Sequence, residues 1–276
     1  MVPDIPIDAW TTSAIDWLRD HLGGFFDAIA EFLRQLLNGM YQVLVLPHPL
    51  LLTAILVAIA WLCVRRWVVI PVAAAGLLLV QAMDLWTDML QSLAVVLVAS
   101  AVAVVVGVPL GILTARKDSV RTVVRPVMDF MQTMPVFVYL LPAVFFFGIG
   151  VVPGVVATTI FAVPPAVRLT DLGIRQVDAE VVEAATAFGA RPRQILRDVQ
   201  LPLALPSIMT GVNQVIMLAL SMVVVAGLVG GGGLGAVVVQ AITQLDIGRG
   251  FEGGLAVVVL AIYLARVTAS LGRRLA

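Results

Sequence analysis

Apolar residues run in seven stretches long enough to cross a bilayer, roughly 48–64, 68–83, 89–113, 127–148, 152–169, 205–229 and 253–270. Such runs predict membrane-spanning helices. The first two are short and predict tilted or irregular spans. Ahead of them the period changes: Ile15, Leu18, Leu22, Phe25, Ile29, Phe32 and Leu36 recur at three- and four-residue steps between residues 14 and 40. Asp16, Asp20, Asp27, Glu31 and Arg34 fall largely elsewhere on the wheel. That pattern predicts an amphipathic helix lying on the membrane rather than crossing it, with a break at Gly23-Gly24. Its acidic polar side argues against adhesion to anionic lipid. Pro109, Pro135, Pro142, Pro164 and Pro165 sit inside later stretches. They predict kinked or broken helices, which membranes tolerate where backbone lines a cavity or packs on protein. The expected architecture is an all-α polytopic membrane protein.

Composition closes off the soluble classes. The 276 residues are 61% hydrophobic and 12% charged, with a mean hydropathy of +1.06, more apolar surface than a soluble domain carries. Net charge is zero, so the information lies in where the charges fall. Fourteen of the 17 basic residues occupy 65–67, 114–125, 168–204 and the tail from Arg266. The other side holds Arg19, Arg34 and Arg249, against Asp4, Asp8, Asp16, Asp20, Asp27 and Glu31 in the N-terminal segment. The positive-inside rule then predicts the N-terminus outside, the C-terminus inside, and 168–204 cytoplasmic. The first 13 residues have neither a basic n-region nor an apolar h-region, so no cleavable signal peptide is expected.

Several chemistries are excluded by what is missing. Lys117 is the only lysine and follows Arg116, so no Walker A loop exists and any ATP hydrolysis belongs to a separate chain. Cys63 is alone, which removes disulfides and thiolate metal clusters. His21 and His48 stand apart, and neither HExxH nor GxSxG occurs, so an intramembrane hydrolase is not expected.

The charged stretch from Asp178 to Pro202, DAEVVEAATAFGARPRQILRDVQLP, interrupts the spans. Asp178 is an N-cap residue type and predicts a helix over 179–187, with Glu180 favourable in its first turn. Gly189 fits the left-handed position that ends a helix. Pro192 suits the first turn of a second helix, 192–200, stopping before Pro202. Small Ala184, Ala185 and Ala187 permit close approach of a partner, and Glu183 offers a charge to it. Three readings fit these residues: a capped loop packed on its own protein, a DNA-binding helix-turn-helix, or a docking element for a soluble motor subunit. DNA is disfavoured because a segment tied at both ends to spans would have to meet it at the bilayer face.

The spacing of Glu183-Ala184-Ala185, Gly189, Val199-x-Leu201-Pro202 resembles the EAA loop of the permeases of binding-protein-dependent ABC importers, EAA-x3-G-x9-I-x-L-P. Six residues match and Val199 replaces the usual Ile. The resemblance extends over roughly residues 80–276, through Pro126-Val-Met-Asp-Phe-Met-Gln-Thr-Met-Pro135, Phe137-Val-Tyr-Leu140, Phe147-Gly-Ile-Gly150, Val199-Gln-Leu-Pro-Leu-Ala204, Gly211-Val-Asn-Gln214 and Leu218-Ala-Leu-Ser-Met-Val223. These stretches are similar to the glycine betaine/proline betaine (ProW-like) permease family. The acidic N-terminal tail ahead of two extra spans fits the same subgroup.

The resemblance implies a type I ABC importer permease fold of about seven spans, with a five-helix core at about 89–270. It divides the chain into an extracytoplasmic amphipathic segment (1–47), two accessory spans (48–83) and the permease core (84–276) with its cytoplasmic coupling loop (170–204). Glu183, Ala184, Ala185, Gly189, Arg191, Leu201 and Pro202 are then the expected contacts to the ATPase. Met134, Phe137, Tyr139, Asn213 and Ser221 are the expected translocation-path residues. The implied partners are a dimeric ATPase that binds ATP-Mg, an extracytoplasmic substrate-binding protein, a second permease copy and membrane lipid. No nucleic acid, no cofactor and no metal are expected on this chain, and the implied location is the bacterial inner membrane. The implied solutes are betaines, with choline or carnitine as alternatives. An ion-coupled secondary transporter is the reading from another class, and it needs ionisable residues at mid-membrane.

Three smaller features carry their own expectations. Gly230-Gly-Gly-Gly-Leu-Gly235 is expected as a flexible turn between spans rather than a phosphate cradle. Asp129 is expected to pair with Arg125, four residues back. Phe137, Tyr139 and Phe145-Phe146-Phe147 are either packing residues or cation–π contacts for a quaternary ammonium.

Overall fold

A computed structural model describes residues 7–275, with side chains at 7–9, 11, 14 and 273–276 left out; the charges expected at Asp4, Asp8, Arg273 and Arg274 lie outside the described residues. Helix α1 (Ile7–Val45) turns by 100° into α2 (Pro49–Val64), and α3 (Val69–Ala82) follows. Next come α4 (Trp86–Arg116), α5 (Asp118–Thr133), α6 (Phe137–Phe147) and α7 (Val151–Arg175). Beyond the short α8 (Ala179–Ala187), α9 (Pro192–Gln194) runs through a π-helical turn (Ile195–Gln200) into α10 (Leu201–Gly227). Helices α11 (Gly233–Gln244) and α12 (Ile247–Leu275) complete the chain. All seven predicted apolar stretches are helical. Among the described residues four helices are long and apolar enough to span alone, and up to six spans result if each sharply bent pair counts as one.

The centre is α4, α7 and α10, and their approach is set by small residues. A Cβ on Gly107 would lie 2.5 Å from the Cβ of Ala166, and one on Gly111 would lie 2.6 Å from that of Thr170. Gly154 meets Ala226 at 2.8 Å and Gly173 meets Ser207 at 2.6 Å in the same sense. Hydrocarbon offers no hydrophobic drive for helix association, so such backbone proximity supplies the packing that holds spans together.

Several expectations change. Helix α1 is unbroken at Gly23-Gly24, where nothing crowds either glycine; stacking of Phe26 on Phe146 at 4.4 Å fixes the chain just beyond. Its predicted apolar stripe is not its packed face. Leu22, Phe25, Phe32 and Leu36 are exposed, while Ala30, Leu33 and Leu37 pack on Val95, Val98 and Ala99 of α4. An apolar stripe facing out is what a helix lying in the interface presents to acyl chains.

The stretch 127–148 is two helices bent by 97°, broken at Met134-Pro135-Val136. Of the five prolines flagged, only Pro135 falls at a break; the others lie inside helices. The second loop helix does not stop before Pro202 but continues to Gly227. The π turn just before Pro202 widens the helix where the ring would otherwise crowd the carbonyl one turn back.

The glycine turn after α10 is a packed clamp. The Gly233 N–H donates to Gln91 Oε1 (3.0 Å) and the Leu234 N–H to Ser92 Oγ (2.8 Å). At Gly232, with φ of +69°, a Cβ would lie 2.3 Å from the Gln91 amide nitrogen. Glycine is required there both for the left-handed backbone and for the closeness of α4.

Gly111→Val places branched carbons against Thr170 and the Val167 carbonyl. It is expected to destabilise the fold by about 1–3 kcal/mol, read as a lower melting temperature in detergent and lower membrane abundance. Gly254→Ala, with open space around it, should leave both unchanged.

Candidate functional site

At one end of the bundle, basic and acidic side chains tie α4, α5 and α7 together. Arg175, in the last turn of α7, donates through Nε to Asp171 Oδ1 (2.9 Å) and through a terminal nitrogen to Asp118 Oδ1 (2.7 Å) and the Thr114 carbonyl (2.8 Å). Arg121 on α5 sits 3.3 Å from the other Asp171 oxygen. Asp129 pairs with Arg168 of α7, not with Arg125, because the Arg168 fork reaches Asp129 and Gln132 together across the helix interface. That pair is half-exposed, 44% and 46%, so it orients α5 on α7 and contributes only about 0–1 kcal/mol.

From this base rises the charged loop. Asp178 Oδ1 accepts the Glu180 N–H (2.9 Å) and caps α8 as its residue type predicts. At the far end Gly189 has φ of +80°, its N–H donates to the Thr186 carbonyl (2.9 Å), and the Ala190 N–H donates to the Ala185 carbonyl (3.1 Å). These two bonds form a Schellman motif. Nothing lies within 4 Å of where a Gly189 Cβ would stand, so backbone conformation alone calls for glycine. The Arg191 N–H is taken by Gln194 Oε1 (2.8 Å), which starts α9 after Pro192.

Helix α8 has no buried residue. Of the expected coupling residues, Glu183 and Ala184 are exposed on α8, Ala185 is half-buried, and Arg191 is exposed beyond the glycine turn. Among the described residues Glu183 forms no ion pair. Leu201 and Pro202 lie apart from this surface: Leu201 packs against Ile174, Ala204 and Ile208 at the base, and Pro202 follows the π turn. Sequence reasoning passed over Phe188, which is 93% exposed between Ala187 and Gly189. The available signal was a lone aromatic at a helix end with only alanines, Ala184 and Ala185, at helical spacing before it.

A second feature runs along α10. Thr210, Gln214, Met217 and Ser221 are exposed at three- and four-residue steps and share one face. The two hydroxyls bond to their own helix, Thr210 to the Pro206 carbonyl (2.9 Å) and Ser221 to that of Met217 (3.0 Å). Gln214 makes no hydrogen bond to any described residue. A free amide at the middle of a 27-residue helix is costly in hydrocarbon, so this face suits water, a solute or another protein surface. Of the expected path residues, Ser221 belongs to this face. Asn213 is turned to α12, where Thr268 donates to its Oδ1 (2.7 Å). Met134 is half-buried at the α5–α6 break, Phe137 is exposed just past it, and buried Tyr139 donates to the Met131 carbonyl.

Residues 107–276 match the family model described as "Binding-protein-dependent transport system inner membrane component". The chain is 50% identical over 267 residues to the glycine betaine transport system permease protein OpuAB of Bacillus subtilis, covering 97% of this chain and 94% of that one. It is 47% identical over 276 residues to the glycine betaine/carnitine transport permease protein GbuB of Listeria monocytogenes, covering 99% and 98%. Among solved structures it is similar to a chain of the MetNI methionine ABC transporter in an inward-facing conformation. There the TM-score is 0.62 at 22% identity, over 67% of this chain and 93% of that one, a likeness of fold.

Gly189→Val forces a branched residue into the left-handed region at a cost of about 1–2 kcal/mol. Trypsin cleavage after exposed Arg193, the first cleavable bond beyond the turn, is expected to accelerate several-fold, with membrane abundance unchanged. Equal cleavage rates would show that the Schellman turn does not depend on glycine.

Proposed function

Because the chain belongs to the family of binding-protein-dependent transport system inner membrane components, we propose that it is the permease subunit of an ATP-driven importer of quaternary-ammonium compatible solutes, glycine betaine first among them. The observation that carries this reading is α8: a capped helix with no buried residue, between two central spans, in a chain similar along its length to glycine betaine permeases. Carnitine is the second solute, supported by the name of the Listeria relative.

In this reading the chain is not an enzyme, and a separate ATPase dimer binds ATP-Mg and seats α8. Ala184 permits close approach, Glu183 meets a basic or amide-rich surface, and exposed Phe188 fills an apolar pocket in that partner. Motion of α8 then passes to α7 through the short link at 176–178, to α4 and α5 through the Arg175 cluster at the end of α7, and to α10 through the unbroken helix from Pro192. The exposed face of α10, with Gln214, Met217 and Ser221, lines the path jointly with a second permease copy. A betaine carries a cation and a carboxylate with no net charge, so a polar uncharged wall suits it, and α10 has no charged residue between Leu201 and Gly227. A substrate-binding protein delivers solute at the end formed by the glycine turn and the start of α4. The N-terminus is outside and the C-terminus cytoplasmic, which puts the basic end and α8 with the ATPase.

Proteoliposomes holding this chain, its ATPase and the binding protein should accumulate glycine betaine only with ATP on the ATPase side, and the chain alone should show neither hydrolysis nor uphill uptake. Ala184→Asp should reduce ATPase co-purification at normal abundance. Gln214→Leu should leave co-purification intact and lower uptake about tenfold or more, the scale of one lost polar contact of about 1.4 kcal/mol or more in the path. Uphill uptake by the lone chain on a sodium or proton gradient would overturn the reading in favour of a secondary transporter.

A further inference from the structure

Helices α2, α3 and α12 enclose a groove of about 470 Å³ on the flank of the bundle, within the range of built ligand sites, about 300–1,000 Å³. Its walls are apolar, with Val72 and Gly76 from α3 facing Val259 and Ile262 from α12. Two positive charges, Arg66 and Arg266, line the same groove. Both are exposed, and among the described residues neither forms an ion pair. An outward apolar surface is ordinary in lipid, but paired arginines at the end of an apolar groove ask for an anion with an apolar tail.

The dimensions agree. Val69 to Gly76 on α3 is seven residues, about 10 Å at helical rise, and Arg66 lies in the turn just before it, so the groove fits within one leaflet, half the hydrocarbon core of about 30 Å. Trp67, 75% exposed in the α2–α3 turn and 5.6 Å from the Trp61 ring, sits where aromatic residues mark the headgroup level. The arginine end is also the α8 end of the bundle. A Cβ on Gly272 would lie 3.1 Å from that of Met209 in the first third of α10, and Ser270 Oγ donates to the Cys63 carbonyl at the end of α2 (2.6 Å).

We propose that this groove is a binding site for one anionic phospholipid of the leaflet facing the ATPase side, its phosphate held by Arg66 and Arg266 and one acyl chain lying between α3 and α12. The site depends on the chain spanning a membrane and not on which solute it carries. A lipid there fastens α2 and α3 to α12, which holds α10 through Thr268 and Asn213. The acidic α1 is placed differently, with no basic cluster among its described residues.

The test is native mass spectrometry of the assembled permease–ATPase complex, titrated with phosphatidylglycerol and with phosphatidylcholine of the same chains. The intact complex should take up phosphatidylglycerol in preference by about tenfold or more, the scale two interfacial arginines confer on an anionic headgroup. Arg66→Gln with Arg266→Gln should bring the preference to within about twofold, and Arg249→Gln at the opposite end should leave it unchanged. If the double variant fails to assemble, Val72→Trp, which fills the groove from its exposed wall, should lower uptake of both lipids. A preference that survives both changes would overturn the proposal. So would a disulfide between two permease copies through Val72→Cys in a Cys63→Ser background, with no specific lipid bound, which would assign the groove to a second copy.

Discussion

Backbone-to-backbone closeness of α4, α7 and α10 is the constraint on which the other features depend. Gly107 on Ala166 and Gly111 on Thr170 bring α4 against α7, and Gly173 on Ser207 brings α7 against α10 at the end from which the charged loop emerges. In lipid no hydrophobic drive would restore these contacts if larger side chains separated the helices. Spread them by a methyl group and the loop loses its base, the Arg175 cluster loses its geometry, and the glycine turn at the other end leaves Gln91 and Ser92.

In the proposed reading, that closeness lets a helix with no buried residue transmit force. Helix α8 is fixed at its ends: Asp178 caps its start, just after α7, and the Schellman turn at Gly189 hands the chain to a helix that runs unbroken through the π turn to Gly227. In that reading, displacement of α8 reaches the polar face of α10 through the hydrogen-bonded Gly189 turn and the helix that follows it. The α5–α6 break lies beside this route, held to α7 by Arg168 and closed by the Tyr139 hydroxyl on the Met131 carbonyl. In the proposed docking, exposed Phe188 is an anchor of the kind that dominates protein interfaces, a large ring presented at low entropic cost.

Much of this was legible in the sequence because its causes are local. Asp178, Gly189 and Pro192 each dictate backbone within a turn, and α8 has the bounds those residues imply. The seven apolar runs were legible for the same reason. What was not legible depends on partners distant in the chain. Asp129 chose Arg168 over Arg125 because another helix lay closer in space. The glycines at 232–233 read as slack in isolation and are rigid because Gln91 and Ser92 fill the space a side chain would need. Pro202 reads as a helix stop, and the π turn that absorbs it has no local signature. The face of α1 that packs on protein is not legible because apolar periodicity does not distinguish a face buried in protein from one buried in lipid. Asn213 and Gln214 are adjacent amides, and only the position of α12 shows which of them is free.

Hydrogen exchange across the loop gives the most direct test of the central claim that α8 is the seat of a motor subunit. Backbone amides of residues 179–190 should exchange quickly in the isolated permease, since α8 is short and has no buried residue. They should become at least about tenfold slower when the ATPase is bound, while amides of the α2–α3 turn stay unchanged. An assembled complex in which 179–190 exchanges as fast as in the free chain would contradict the account.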